Sequence, residues 1–248
     1  MRTASRFAWI AMVIPLVLSS GARALFETRD EKLKSVKTVG IVSAIGDQFT
    51  YAKTGLTGVD NSPRSVPIAS WGLDDLIVQE VAKALSTRFQ IQPVTYPRAT
   101  FAATEESAMA AVNLVRGDPF KKLVQTEVSP QGLDAYIIIT KAKANFGGGN
   151  RKVGGVGLIN YSTVLESFDV LHALYEIRVV DGKTFDIIEK VAAGPPDGAS
   201  SVRLPGPSLV IDASFDKRDE NLRRTILDLV IRSLPNTLSD MHLVNQKQ

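Results

Sequence analysis

Residues Leu73–Tyr96 read LDDLIVQEVAKALSTRFQIQPVTY, and this stretch decides the fold class. Leu73, Ile77, Val81, Ala84 and Leu85 recur at helical spacing and make one apolar stripe. Asp74 and Asp75 fall in the early turns and Arg88 near the end, each where the helix dipole favours its charge, and Ser70 is placed to cap the start. Phe89–Tyr96 follows at once as a short strand stopped by Pro97. Upstream, Val36–Ile45 is a nearly continuous apolar run through Val39, Ile41, Val42 and Ile45, which predicts a strand buried on both faces. Strand, helix and strand give the N-terminal half a βαβ-like order.

Outward from there the pattern changes. Gly55, Gly58, Asn61 and Pro63 mark a loop lasting to Pro67. Thr104 is placed to cap a second helix, with Glu105 and Glu106 in its first turn, Ala108, Met109 and Val112 turned inward, and Gly117 at its end. Asp118-Pro119 then opens a short helical segment. Ala135–Thr140, with Tyr136-Ile137-Ile138-Ile139 at its centre, predicts a central strand. Glycine-rich Asn145–Gly157 predicts a flexible turn, and Val156–Leu165 a further strand. In Ala173–Val180, Tyr175, Ile177 and Val179 alternate with Glu176 and Arg178. Asp181-Gly182 carries the signal of a two-residue hairpin. Beyond it Phe185, Ile187 and Val191 alternate against Asp186, Ile188 and Lys190, completing an antiparallel pair. Gly194–Pro207 reads as a surface loop, and Val210-Ile211 as a brief edge strand. Asp216 caps a final helix in which Leu222, Ile226, Leu229 and Val230 share a face, limited by Pro235. The expected fold is α/β: a mixed sheet with an N-terminal βαβ-like half, an antiparallel meander and a packed C-terminal helix. Residues 25–240 form one domain with glycine-rich and proline-rich loops, and 241–248 a polar tail that frays.

The first 24 residues predict a secretory leader. Arg2 and Arg6 begin it, and Phe7–Leu18 is uncharged and mostly apolar, shorter than the roughly 20 residues that span a bilayer. Ala22-Arg23-Ala24 supplies the small residues that a signal peptidase requires, placing cleavage after Ala24. The chain carries 29 Lys and Arg against 26 Asp and Glu. Arg2, Arg6 and Arg23 lie in the leader, so the mature chain is formally neutral. It contains no run of four bases, which disfavours nucleic acid as a partner. No other stretch is long and apolar enough for a transmembrane helix once the leader is cleaved, and the expected location is periplasmic or secreted. A composition of 44% hydrophobic and 22% charged residues describes a folded chain rather than a disordered one. The absence of cysteine excludes disulfides, thiolate metal sites, a cysteine nucleophile and a lipidated N-terminal Cys.

The chemical motifs point away from catalysis, and the sequence marks no catalytic, cofactor-binding or metal-binding residue. Gly147, Gly148, Gly149, Asn150, Arg151 and Lys152 resemble a phosphate cradle. A P-loop, however, requires Ser or Thr after its Gly-Lys, and Lys152 stands between Arg151 and Val153. Gly155-Val156-Gly157 leads into a strand and lacks the third glycine of a dinucleotide fingerprint. The six residues are therefore the candidate interaction loop, with two bases suited to an anionic lipid or glycan. Ser214 and Lys217 have the spacing of penicillin-recognising enzymes, without the other motifs of that class. No Gly-x-Ser-x-Gly elbow occurs. His172 precedes a predicted strand amid apolar residues and is expected to be structural, and His242 falls in the tail. Two histidines are too few for a multi-histidine metal centre. Asn160-Tyr161-Ser162 has the form of a glycosylation acceptor. Trp71 is expected to pin the first helix to the core. Asp74 and Asp75, adjacent on a helix, diverge by about 100° and make a poor acid/base pair.

Three segments together resemble a known fold. Leu73–Tyr96 runs helix into strand, Leu133–Lys143 (LDAYIIITKAK) is a strand opened by a small-aromatic pair, and Leu174–Val191 (LYEIRVVDGKTFDIIEKV) turns at Asp-Gly. Their order resembles the envelope-protein fold of curli-secretion lipoproteins, penicillin-binding-protein activator lipoproteins and the N-terminal domain of TolB. The resemblance spans about Val36–Ala193 and implies a non-enzymatic module that docks other envelope proteins. Two departures stand against it: no lipobox cysteine is present, and those families place Thr-Gly two residues beyond the position of Asp181-Gly182. No functional residue carries over. Two classes of function follow: an exported, non-enzymatic envelope module that binds a protein or envelope component, or a periplasmic hydrolase without a recognisable motif, built on His172 with a carboxylate and a hydroxyl nearby. No oligomeric state is implied. The leader reading predicts that protein recovered from its host begins at Leu25, as intact-mass measurement would show; a mass retaining residues 1–24 would contradict it.

Overall fold

Along β8, Ser167–Asp181, fifteen consecutive residues stay in one strand, and four other strands pair along its length. In this computed structural model, residues 28–54, 63–104, 118–145, 152–162, 167–193, 200–205 and 220–244 are described. In chain order they form α1 (Arg29–Ser35), β1 (Thr38–Ala44), β2 (Gln48–Thr54), β3 (Arg64–Pro67), α2 (Leu73–Leu85), β4 (Gln90–Gln92), α3 (Arg98–Ala103), α4 (Pro119–Glu127), β5 (Ala135–Lys141), β6 (Lys143–Asn145), β7 (Lys152–Ser162), β8, β9 (Ile187–Ala193), β10 (Ser201–Arg203) and α5 (Glu220–Asp240).

The strands form one mixed sheet. The first half of β8 pairs antiparallel with β7 and β10, from Ser167 to Leu174. Its second half pairs antiparallel with β5 and β9, from Tyr175 to Asp181. β1 lies parallel to β5 and to β4, while β2 lies parallel to β7 and antiparallel to β3. The sheet thus has two halves, β4-β1-β5-β8-β9 and β3-β2-β7-β8-β10, joined along one strand. The mixed α/β class and the packed C-terminal helix are as expected.

Helices cover both faces of the first half. Against one face, α2 and α5 bury Ile77, Val81, Leu85, Ile226 and Leu229 with Ile41, Ile137, Tyr175 and Ile177. Against the other, α3 and α4 bury Phe101, Phe120 and Val124 with Val42, Tyr136, Ile138 and Val180. This double cover explains Arg178. Alternation turned it away from Tyr175 and Ile177, yet it is fully buried. Its guanidinium donates to Asp118 Oδ2 (3.2 Å), Thr140 Oγ1 (2.8 Å) and Glu176 Oε1 (2.5 Å), and lies 4.3 Å from the Phe120 ring centroid. Asp118 also caps α4 through Phe120 N, so the arginine ties that helix to the sheet.

Asp74 makes the corresponding tie for α2. Its carboxylate, 3% exposed, accepts from Ser43 Oγ (2.7 Å), Ile45 N (2.8 Å) and Gly46 N (3.2 Å), the groups at which β1 gives way to β2. Asp134 likewise accepts from Lys37 N, Thr38 N and Thr38 Oγ1, holding the entry of β1, and the Thr38 amide leads in lowering its carboxyl below the usual range.

Several boundaries differ from expectation. Gly72, in the left-handed region at φ +67°, is the N-cap of α2, and Ser70 lies instead in a 3-10 turn over Ala69–Trp71. The strand expected at Phe89–Tyr96 stops at Gln92, because Pro93 has no N–H for the ladder. β2 and β3 shorten the loop expected to reach Pro67. Thr104 closes α3; the helix it was expected to cap lies outside the described residues, as do Val210, Ile211 and Asp216. Asp181-Gly182 is no two-residue hairpin: Asp181 N donates to Asp186 O, and Phe185 takes the positive φ of 59°. Glycine at 182 serves a close approach, since a Cβ there would lie 1.8 Å from Leu133 O. Pro235 sits inside α5. The carbonyl it leaves without a helical donor belongs to Ile231, an exposed residue of the helix. Met241 and Leu243 are buried, so packed chain continues past Asp240.

Asp74→Ala strands two backbone amides and a hydroxyl in the interior. It is predicted to cost about 3 kcal/mol, read as a fall in the urea midpoint at unchanged slope.

Candidate interaction surface

β5 and β7 occupy successive lengths of the same partner, β8, and what lies between them leaves the sheet as a hairpin. Its arms pair Lys143 with Gly154, Ala144 with Val153 and Asn145 with Lys152. Its base is closed by Ala142 N donating to Leu174 O and Gly155 N donating to Ala142 O, both at 3.1 Å. Gly155 has φ +61°, and a Cβ at Gly157 would lie 2.2 Å from Thr50 O. Composition alone makes these glycines part of a flexible turn. They stand within β7, where close backbone approach requires them.

His172 locks the same point. It lies on β8 opposite Gly157 and Ser201 and is 3% exposed. Its Nδ1 is 3.1 Å from Gly155 O. A carbonyl only accepts, so Nδ1 carries the proton. Burial pushes the imidazole pKa down to about 4, opposed by the bond to Gly155. Among the described residues this carbonyl is its only hydrogen-bond partner, which is the structural role expected of it and not the general base of a hydrolase. Beside it, Lys141 Nζ meets Asp47 Oδ2 at 2.9 Å, bracing the junction of β1 and β2 against the end of β5.

The hairpin is two-sided. Val153 and Ala144 pack with Ala52, Ile159 and Leu174, while Lys143, Asn145 and Lys152 are exposed. Of the candidate loop residues, Lys152 is therefore an exposed strand residue. Gly147, Gly148, Gly149, Asn150 and Arg151 lie outside the described residues, as do Ser214 and Lys217. Further along the same face, Tyr161 and Phe168 lie side by side (ring centroids 5.0 Å apart), with the Arg203 guanidinium 4.0 Å from the Phe168 ring centroid. In the sequence alone Lys143, Phe168 and Arg203 belong to no chemical motif, and Tyr161 only to the glycosylation acceptor. The alternation Lys-Ala-Asn against Lys-Val-Gly is visible there, but glycine-rich composition hides it.

The remaining candidates are structural. Trp71 is buried against Phe49 (ring centroids 5.8 Å apart). Asp75 is exposed and pairs with Arg98 (2.6 Å), while Asp74 serves the strand junction. Asn160 is buried and donates to Asp169 Oδ1 at 2.8 Å, so in the folded chain its amide is not available to a glycan. His242 is exposed in the C-terminal turn, 3.7 Å from Asp30. Among the described residues no group of His, Asp and Glu could hold a metal ion, and no helix is long and apolar enough to cross a membrane.

No family model and no curated protein matches the chain. Solved structures similar to it include a homolog of neuraminyllactose-binding hemagglutinin from Helicobacter pylori, at 7% identity over 86% of this chain and 87% of that one, with TM-score 0.37. A DUF330 protein from Xanthomonas campestris is similar at 7% identity over 84% of each chain, TM-score 0.35. A lipoprotein from Neisseria meningitidis is similar at 14% identity over 81% of this chain and 99% of that one, TM-score 0.26. With each TM-score below 0.5, these likenesses assign neither a family nor a function. They do not confirm the three families that the sequence resembles.

The histidine predicts a pH dependence. Its pKa is lowered on folding, so its contribution is complete above about pH 6.5 and is lost as pH falls toward 4, where the unfolded chain binds the proton first. The loss amounts to roughly 3 kcal/mol. Urea midpoints measured between about pH 7 and 4.5 will fall in the native protein and fall less in His172→Gln; parallel curves would contradict the assignment.

Proposed function

We propose that the mature chain is an exported, non-enzymatic envelope module, periplasmic or secreted, that binds a protein or envelope component. The observation that carries this reading is the hairpin between β5 and β7. Its base is built from buried backbone and a buried histidine, which supports a role in holding a recognition segment at a fixed place on a rigid scaffold. Residues Gly147–Lys152 are the contact segment in this reading, with the stretches that precede β3 and flank β10 in support, and residues 25–240 act as one domain. The leader supports export, and the neutral mature chain supports a partner other than nucleic acid.

The test is retention of envelope proteins from the host by residues 25–248, compared with a variant in which Gly147–Lys152 is replaced by a two-residue turn. A partner retained by the native chain and lost with the replacement is the expected result. Equal retention by both would remove the hairpin from the function. Retention by neither folded protein would remove the binding-module reading itself.

A further inference from the structure

By strand alternation His172 shares a side of β8 with Val170 and Leu174, and it has Gly157 opposite it on β7 and Ser201 on β10. On that side of the sheet the hairpin lays Val153 and Ala144 against Leu174 and Ile159. The ring gives its Nδ1 proton to Gly155 O and has no other hydrogen-bond partner among the described residues. Its Nε2 looks toward Gly157, where a Cβ would lie 3.0 Å away. The charged groups on the elements around it are Lys141 at the end of β5, held on Asp47, Lys143 on β6, Lys152 on β7 and Arg203 on β10. β2 brings Thr50 opposite Gly157, and its Lys53 alternates to the other side. On β8 itself Asp169 points to the opposite face with Asn160, while Glu176, further along, is bound by Arg178 and Lys190. A second proton on this ring would sit buried at Nε2, with no carboxylate or carbonyl among the described residues bonded to receive it.

The cover over the ring is slight. Ala52, Val153, Ile159 and Leu174 form a small cluster of their own, apart from the two larger clusters that hold the helices to the sheet. Residues 143–145 and 152–154 pair with each other and join the sheet at one base, where Ala142 N meets Leu174 O and Gly155 N meets Ala142 O. A protonated ring still donates from Nδ1 to Gly155 O, so this base survives in either charge state. Relief for the buried charge comes from water reaching Nε2. We propose that the hairpin is an acid-operated cover: when His172 takes a proton at Nε2, residues 143–145 and 152–154 swing off Leu174 and Ile159 about the fixed base and carry the contact segment away from the sheet. The inference rests on the envelope-module reading above and adds a regulation to its contact hairpin. Its sign follows from burial, which holds the ring's pKa down to about 4. Closure is fully favoured above the ordinary histidine value of 6.5 and is lost as pH falls toward 4.

The chain has no cysteine, so a single introduced thiol reports on one place. Val153→Cys puts it on the inner side of the hairpin, and Ala44→Cys puts it in one of the two larger clusters. Thiol labelling of residues 25–248 is measured at pH 7 and pH 5, each rate divided by that of the urea-unfolded chain at the same pH. The normalised rate at position 153 is expected to rise about twentyfold between the two, while position 44 stays far slower at both. Adding His172→Gln to Val153→Cys is expected to abolish the rise. A rate at 153 that ignores pH, or that rises equally with His172→Gln, would overturn the proposal. Equal labelling at 153 and 44 would also overturn it, since the whole domain would then be opening. Should His172→Gln fold poorly by circular dichroism, the His172 ring signal is followed by NMR in the Val153→Cys chain. Titration in step with the labelling is expected, and labelling that rises while the ring stays neutral would count against the switch. If position 153 stays closed in acid while hairpin-dependent retention of an envelope protein persists, the docking-module reading stands and only the switch falls. Acid opening without retention of any partner would uphold the movement and remove the binding role.

Discussion

A strand that breaks inside a sheet leaves backbone donors without a ladder partner, and the interior cannot tolerate them unpaired. The junction of β1 and β2 poses this problem at Ile45 and Gly46, and the buried carboxylate of Asp74 solves it from the neighbouring helix. The same junction accepts the ammonium of Lys141 on Asp47, and Asp47 O receives Ile68 N at the end of β3. Through these bonds a discontinuity becomes a fixed corner, and α2 is keyed to the sheet by a charge as well as by its apolar stripe.

The break in β1–β2 is matched on the neighbouring row. Where β5 ends, β7 resumes beside β8, and the surplus chain is put out as a hairpin instead of being absorbed as a bulge. The base of that hairpin is determined by sterics at Gly155 and Gly157 and by the His172 bond to Gly155. Its inner residues complete a small apolar cluster, which leaves its charged residues no direction but outward. The outward placement of Lys143, Asn145 and Lys152 is therefore a consequence of how the sheet is interrupted.

Much of this was legible in the residues. Tyr136–Ile139 reads as the core of a central strand, and Leu73–Leu85 as a helix with one buried stripe; both stand where the pattern puts them. Trp71 and His172 took their expected structural roles. What the sequence could not reveal were roles set by distant partners. Asp74 looked like a dipole-favoured surface residue because its acceptor role depends on Ser43, Ile45 and Gly46, some thirty residues earlier. Arg178 alternated like a solvent-facing residue because α4, whose cap Asp118 receives it, packs over that face only in three dimensions. Gly182 does lie in the turn after β8, but it is the close approach to Leu133 O that requires glycine there. β2 went unread because Phe49 and Tyr51 are too short an alternation to stand out beside glycine and proline.

At the interruption of the sheet the amides of Ile45, Gly46, Ala142 and Gly155 are all bonded, and the hairpin starts from the corner they fix. Native-state amide exchange of Ile45, Gly46, Ala142 and Gly155 tests it most directly. Protection at the level of Ile137 and Ile177, with exchange only through global unfolding, is the predicted result. Rapid exchange at these four amides while the β5 and β8 amides stay protected would mean that the corner opens locally and that nothing holds the hairpin in place.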